Sequence, residues 1–428
     1  MSPLDPTSRP DSTDSDRAAV IDTVGAPGLS DSLAGAFDPV RLRAERLSRV
    51  RAAMAAAGLA AVVLFDPNNQ RYATGSRNMF GYFLRNSTRY IYVPLSGPVI
   101  LFEYPGSAHT STWLETIDEN RVSKVVWSAV NQRDGDTARP FAVDIADLVR
   151  AAGHGRRVGL DRCSHLHALA LEAEGLEVVD CQQDLLHARR LKSRDEIACL
   201  ALSCAASESA VAAVERAIRP GVRETDLFAT LYHETIAQGG EFIETRLLTA
   251  GPRTNPWFQE ASDRRVRPGE LVCLDTDTIG CNGYYSDFSR TFFCGPGRPS
   301  GAQRSLYRMA WEQVQHNTAL LRPGLSYREL AERAWPIPER VYDRRYPSII
   351  HGVGLHGETP LVAHKGDFDA YSSDGVLEPG MVVSVESYIG EPGAPDGVKL
   401  EDEVLITETG AALISRYPYD DTLLERMI

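Results

Sequence analysis

Apolar residues recur at helical spacing from Leu42 to Met54 in "FDPVRLRAERLSRVRAAMAAAGLAAVVLF", Gly58 stops that helix, and "AAVVLF" reads as a short buried strand. Strand-like runs "RYIYVPL" and "GPVILFEY" follow, then the helix "PFAVDIADLVRAAG" and the strands "RRVGLD" and "LEVVDC". This alternation predicts an α/β domain over residues 37–184. Residues 1–36 are rich in Ser, Asp, Pro and Gly with few large apolar side chains, and are expected to form a disordered tail. A second domain over 185–428 opens with the helix "RRLKSRDEIACLALSCAASESAVAAVERAI". Within it the pattern repeats. "IRPGVRETDL" and "VRPGELVCLD" are answered by "LRPGLSYREL" and "LEPGMVVSVE", each unit predicting helix, Pro-Gly turn, helix, Pro-Gly turn and a strand that ends on Asp275 or Glu386.

Carboxylates interrupt the apolar pattern of these strands. In "CLDTDTIGCNGYYSDFSRTFF", Asp275 and Asp277 are two apart and so share a strand face. A hairpin turning at Asn282 sets Asp277 against Asp287, and one centred on Gly393-Ala394 sets Glu386 against Glu401. Like charges opposed across a ladder destabilise it unless a cation lies between them. Bridging carboxylates suit two divalent ions of Mn, Fe, Co or Zn about 3.5–4 Å apart. His351, at the end of an apolar run in "YPSIIHGVGLHGETP", supplies an imidazole to the set.

The bulk numbers narrow the partners. With 45 Lys and Arg against 58 Asp and Glu, a net charge of −13 gives no footprint for nucleic acid or an anionic membrane surface. Seven cysteines without CxxC pairs read as reduced thiols, and the polar, acidic amino terminus lacks the pattern of a signal peptide, so a cytoplasmic protein is expected. No run of about 18 apolar residues predicts a membrane span.

The order Asp, Asp, His, Glu, Glu within "GYYSDFSRTF", "HGVGL", "SVESYIG" and "KLEDEVLI" resembles the creatinase, prolidase, aminopeptidase P and methionine aminopeptidase superfamily. The resemblance implies a small creatinase-like α/β domain followed by a pita-bread domain of pseudo-twofold α+β units. It also implies two metal ions held by Asp277, Asp287, His351, Glu386 and Glu401. The peptidases place the first ligand aspartate eleven residues before the second, whereas Asp275 and Asp277 stand twelve and ten before Asp287. They also carry a histidine upstream of that strand, where this chain has "TNPWFQEASD", and a histidine seven residues after the ligand His, where it has Glu358, with His356 nearby.

"VLFDPNNQRYATGSRNM", "TNPWFQEAS", "LDTDTIG", "WPIPERVYDRRY" and "GVKLEDEVLIT" are more similar to the metallopeptidase-like dimethylsulfoniopropionate (DMSP) lyases. That likeness implies Asp275 as a sixth ligand, iron as the metal, Tyr346 as a catalytic residue and a homodimer. An aspartate expected six residues after the ligand His is replaced by Gly357, leaving His356 and Glu358 as candidate bases. Trp257, Phe258, Tyr284 and Tyr285 are candidates, with Tyr346, to hold a sulfonium by cation–π attraction. The expected substrate is a small carboxylate. A metal-dependent peptidase or small-amide hydrolase is the alternative reaction, and a metal-free binding module a third reading.

Overall fold

A computed structural model of the chain describes residues 36–125 and 138–425. The tail read from the sequence lies outside the described residues, apart from Ala36. The chain divides into two compact units, and the change falls after Arg189. The boundary expected near Asp184 therefore lies inside a helix, Gln182–Arg189, that belongs to the first unit.

In the amino-terminal unit, Asp38 caps the helix Pro39–Ala56 by accepting from the Val40 and Arg41 amides. Leu42, Val50 and Met54 form the buried stripe of that helix. A six-stranded mixed sheet has the order β4 (Glu119–Val122), β3 (Ile100–Glu103), β2 (Tyr90–Pro94), β1 (Ala61–Leu64), β5 (Arg157–Leu160) and β6 (Glu177–Asp180). Tyr90 stacks on Phe102 at 4.5 Å between ring centroids, and Phe141 of the helix Arg139–Ala152 packs edge-on to Tyr90. Just beyond β5, half-buried Asp161 accepts from the amides of Phe65 (2.8 Å) and Asp66 (3.1 Å) and from Asn69 Nδ2 (2.9 Å).

The second unit opens on the helix Arg194–Ala217, started by a Ser193–Glu196 capping box. Among the described residues it is the one helix long and apolar enough to cross a membrane, but its apolar residues are largely buried within the unit. The repeat is visible in the backbone. Gly221, Gly269, Gly324 and Gly380 of the four Pro-Gly turns have φ of 87°, 83°, 79° and 91°, a region open to glycine at little cost. Helices Glu224–Ala237 and Tyr327–Arg333 follow the first turn of each repeat, and strands β9 (Leu271–Asp275) and β15 (Val382–Gly390) follow the second. The strands end differently. Asp277, at φ 41°, breaks the first just after its acid, whereas β15 runs past Glu386 to Gly390, contrary to the expected end.

Short strands β7 (Phe242–Ile243), β10 (Thr278–Ile279) and β11 (Tyr285–Ser286) form a small antiparallel sheet. Beside it in sequence, β8 (Leu248–Ala250) and β12 (Ser289–Phe293) flank β9, all antiparallel. The second repeat forms a five-stranded antiparallel sheet ordered β14 (Gly357–Ala363), β13 (Ser348–Val353), β15, β16 (Gly397–Ile406) and β17 (Ala411–Leu413).

Alternation decides what these strands present. Val383, Val385 and Ile389 of β15, with Val398 and Leu400 of β16, join a core with Tyr307, Ala310 and Val314 of the helix Gly301–Leu320. The residues between them, Glu386 and Tyr388 on β15 and Lys399, Glu401 and Glu403 on β16, take the other face, and all are buried. Buried Arg290 fastens β12 to β16, donating to the carbonyls of Ser289 (2.9 Å), Glu401 (2.7 Å) and Tyr417 (3.0 Å) and to Asp402 Oδ1 (2.9 Å).

Candidate metal centre

The two hairpins present their acids as opposed pairs. Glu386 is the direct cross-strand partner of Glu401. Asp275 pairs with Ser289 and Thr278 with Ser286, a single register that sets Asp277 against Asp287. Left-handed Asp277 departs from the plain strand alternation expected of it. Its carboxylate is nevertheless held, accepting hydrogen bonds from Thr245 Oγ1 and Tyr285 Oη.

The acids and His351 converge in two overlapping groups. Asp275, Asp277 and Asp287 form one, and Asp287, His351 and Glu401 form the other, with the potential ligand atoms of each group within 4.8 Å of one another. Asp287 is common to both. His351 Nε2 lies 3.3 Å from Asp287 Oδ2, 3.2 Å from Glu386 Oε1 and 3.7 Å from Glu401 Oε1.

Lys399 was not among the residues read from the sequence. Its Nζ, fully buried, is 2.6 Å from Glu386 Oε2, 2.7 Å from Glu401 Oε2 and 3.5 Å from Asp275 Oδ2. Ser289 Oγ accepts from that ammonium at 2.8 Å and lies 2.7 Å from Asp275 Oδ1 and 2.8 Å from Glu401 Oε2. Period-two spacing was the available signal, since Lys399 is two residues before Glu401 and Ser289 two after Asp287. The two glutamates thus turn their Oε2 atoms to Lys399 and their Oε1 atoms to His351.

Electrostatics in this space are tightly balanced. Burial, and then the neighbouring acids, raise Asp275 and Asp287 well above the ordinary carboxylate range, the charges of Lys399 and His351 respectively opposing the rise. Burial also raises Glu386, as does Glu401, although Lys399 pulls it down. Glu401 goes the other way, because Lys399 and His351 together outweigh its burial. Burial lowers His351, but the close carboxylates of Glu386 and Glu401 and the charge of Asp287 carry it well upward. Behind the cluster, burial pushes Glu403 up to about 8 while its Oε2 accepts from the Asp287 amide at 3.1 Å.

The remaining candidates are distributed unevenly. Tyr346 lies over the cluster, with Lys399 Nζ 4.6 Å from its ring centroid. Burial and the charges of Glu386, Glu401 and Asp275 keep its phenol protonated. Phe258 packs against Tyr346 at 5.5 Å with the rings tilted by 40°, and Trp257 is buried against Tyr388 and Cys273. Tyr285 touches the centre through Asp277, but Tyr284 is buried with its hydroxyl donating to Glu196 Oε1 at 2.8 Å, and is a fastening for the helix Arg194–Ala217. Glu358, one of the two expected bases, is held by a buried Lys192 (3.2 Å) and the Leu355 amide (3.1 Å), which suits a structural ion pair better than a free base. His356 stands in the turn between β13 and β14, half-buried, its carbonyl accepting from the Gly354 amide.

Residues 198–408 match the family model of metallopeptidase family M24, and residues 46–191 match the creatinase/prolidase N-terminal domain. The DMSP lyase DddP of Roseovarius nubinhibens is 38% identical over 91% of this chain and 89% of its own length. The chain belongs to metallopeptidase family M24. A second DMSP lyase DddP of this family, from Roseobacter denitrificans, is 35% identical over 90% of this chain and 88% of its own. The fold is shared with an Xaa-Pro dipeptidase from Bacillus anthracis, whose structure superposes with a TM-score of 0.72 at 23% identity over 88% of this chain and 99% of that one.

Membership in M24 implies a divalent-metal site, and the residues present fit one. Four carboxylates and an imidazole fall into two groups that share Asp287, Glu386 lies 3.2 Å from the imidazole, and Glu401 Oε1 is buried without a hydrogen-bond partner among the described residues. Hard oxygen donors with one nitrogen suit Mn, Fe, Co or Zn. Asp275, Asp277 and Asp287 would hold one ion, and Asp287, His351, Glu386 and Glu401 the other.

Proposed function

We propose that this M24 protein eliminates dimethyl sulfide from DMSP, or acts on a closely related small carboxylate, with iron as its metal. The observation that carries this reading is the similarity to two DMSP lyases over nine-tenths of the chain. The placing of Tyr346 over the acid cluster supports it.

In the elimination, the proton on the carbon next to the carboxylate leaves, a carbon–carbon double bond forms, and the carbon–sulfur electron pair departs with neutral dimethyl sulfide, leaving acrylate. Bound divalent cations supply Lewis-acid stabilisation to the carboxylate as negative charge builds beside it. Protonated Tyr346 offers a hydrogen bond to that developing charge, the kind of preorganised donor that carries much of an enzyme's rate enhancement. The ring of Phe258, more than half exposed and tilted against Tyr346, offers an apolar wall for the sulfonium. His356 takes the proton in this reading, an imidazole being suited to base chemistry near neutral pH.

The test is to load purified protein with iron, verify metal content by mass spectrometry, and measure dimethyl sulfide and acrylate from DMSP beside a control of Xaa-Pro dipeptide hydrolysis. Release of dimethyl sulfide, reduced about a hundredfold or more in Tyr346→Phe, is expected. Peptide cleavage without sulfide release would establish the hydrolase alternative.

A further inference from the structure

Trp257 carries an unexplained polar atom. Its side chain is 5% exposed, yet its Nε1–H is buried without a hydrogen-bond partner among the described residues. Buried indole N–H groups usually find an acceptor, and leaving one unpaired is costly.

Its neighbours place this donor beside the acid cluster. Trp257 stacks on Tyr388 at 6.1 Å with the planes 26° apart, and shares a small buried cluster with Cys273, against which Tyr346 also packs. Cys273 is two residues before Asp275 on β9, Tyr388 is two after Glu386 on β15, and Tyr388 is the cross-strand partner of Lys399. Trp257 therefore sits one strand step along the face that carries the acids. The next residue, Phe258, has a left-handed φ of 64°, costly for a bulky side chain, and its exposed ring lies on Tyr346. The strained backbone lets consecutive aromatics serve one site in different ways. One face of the Trp257 indole is already covered by Tyr388, so its remaining resource is the N–H.

We infer that the Trp257 Nε1–H is the hydrogen-bond donor for a substrate carboxylate at this centre, a specificity-determining contact rather than a ring platform for a cation. The inference rests on the reading of the centre as the site for a small carboxylate. Trp257 selects for the anionic end of the substrate, and the exposed ring of Phe258 is left for the other end. A site with a buried donor also rejects analogues that have no acceptor to give it.

The experiment uses full-length protein loaded with diamagnetic zinc and labelled with 15N at its five indoles, with the Trp257 signal assigned by its loss in Trp257→Phe. Two probes separate the chemistries: propionate, a carboxylate without a cation, and trimethylsulfonium, a cation without a carboxylate. The Trp257 indole signal is expected to move downfield with propionate and stay in place with trimethylsulfonium, and Trp257→Phe is expected to weaken propionate binding about tenfold or more. Movement with trimethylsulfonium, or with neither probe, overturns the assignment. If the Phe variant does not fold, Trp257→Tyr serves for the assignment and the wild-type titration still decides. Dimethyl sulfide release reports separately on the lyase reading. Release with an unmoved Trp257 signal overturns the donor role alone, whereas a shift without release upholds the carboxylate contact and sinks the elimination.

Discussion

Gly357 occupies the position where resemblance to the DMSP lyases leads one to expect an aspartate. A Cβ built there would meet only His351 Nδ1, at an ordinary 3.9 Å, and the backbone is not left-handed. Nothing local therefore demands glycine, and a carboxylate would stand beside the cluster. Gly357→Asp is expected to raise the rate of dimethyl sulfide release, by about a hundredfold if it supplies the general base. The measurement is kcat/KM at matched metal content. Unchanged activity in a folded, metal-loaded variant would show that His356 or another group already does this work. The same comparison shows what single residues reveal and conceal. The spacing of Asp277, Asp287, Glu386 and Glu401 was enough to place opposed acids, because strand registry turns sequence distance into position. Glu358 was not legible in that way, because its partner Lys192 lies 166 residues earlier in the chain.

Among the elements, β12 and β16 matter most, since one carries Ser289 just beyond Asp287 and the other Lys399 and Glu401. Arg290 fastens them from behind the site through two backbone carbonyls and the buried Asp402, whose other oxygen accepts from Tyr419 Oη. Removing the guanidinium would leave the buried Asp402 carboxylate without a counter-charge, held only by hydroxyl donors. Arg290→Met is expected to destabilise the carboxy-terminal unit by about 3–5 kcal/mol, measured by urea unfolding, and a loss below about 1 kcal/mol would show that the pair contributes no more than a surface one. Helices, turns and the duplicated order of elements were readable because Pro-Gly turns and apolar periodicity are local signals. The end of β15 was not, since Glu386 is a site residue inside a continuing strand. Nor was the fate of Tyr284, whose hydroxyl is claimed by Glu196 on a distant helix.

At the scale of the molecule, the amino-terminal unit carries a titration of its own. Burial pushes Asp161 up to about 7 from an ordinary 3.8, although three hydrogen-bond donors oppose the shift. Between those values the folded form retains a proton that the unfolded chain has released. Stability from this group is thus fully present below 3.8, falls as pH rises toward 7, and is level above. The slope is at most about 1.4 kcal/mol per pH unit. Asp161→Asn, which cannot titrate, is expected to gain on the wild type across that window in urea unfolding read out by amide exchange in β1 and β5. A difference that is constant with pH would show that Asp161 is ionised throughout.

Lys399 bears on how the other unit is assembled. Five carboxylates gathered without counter-charge would resist closure of the two hairpins, but this chain brings an ammonium into their midst on the same strand as one of them. The polypeptide thereby carries its own keystone, an internal positive charge that lowers the repulsion opposing closure of the hairpins and leaves fewer charges for any bound ion to balance.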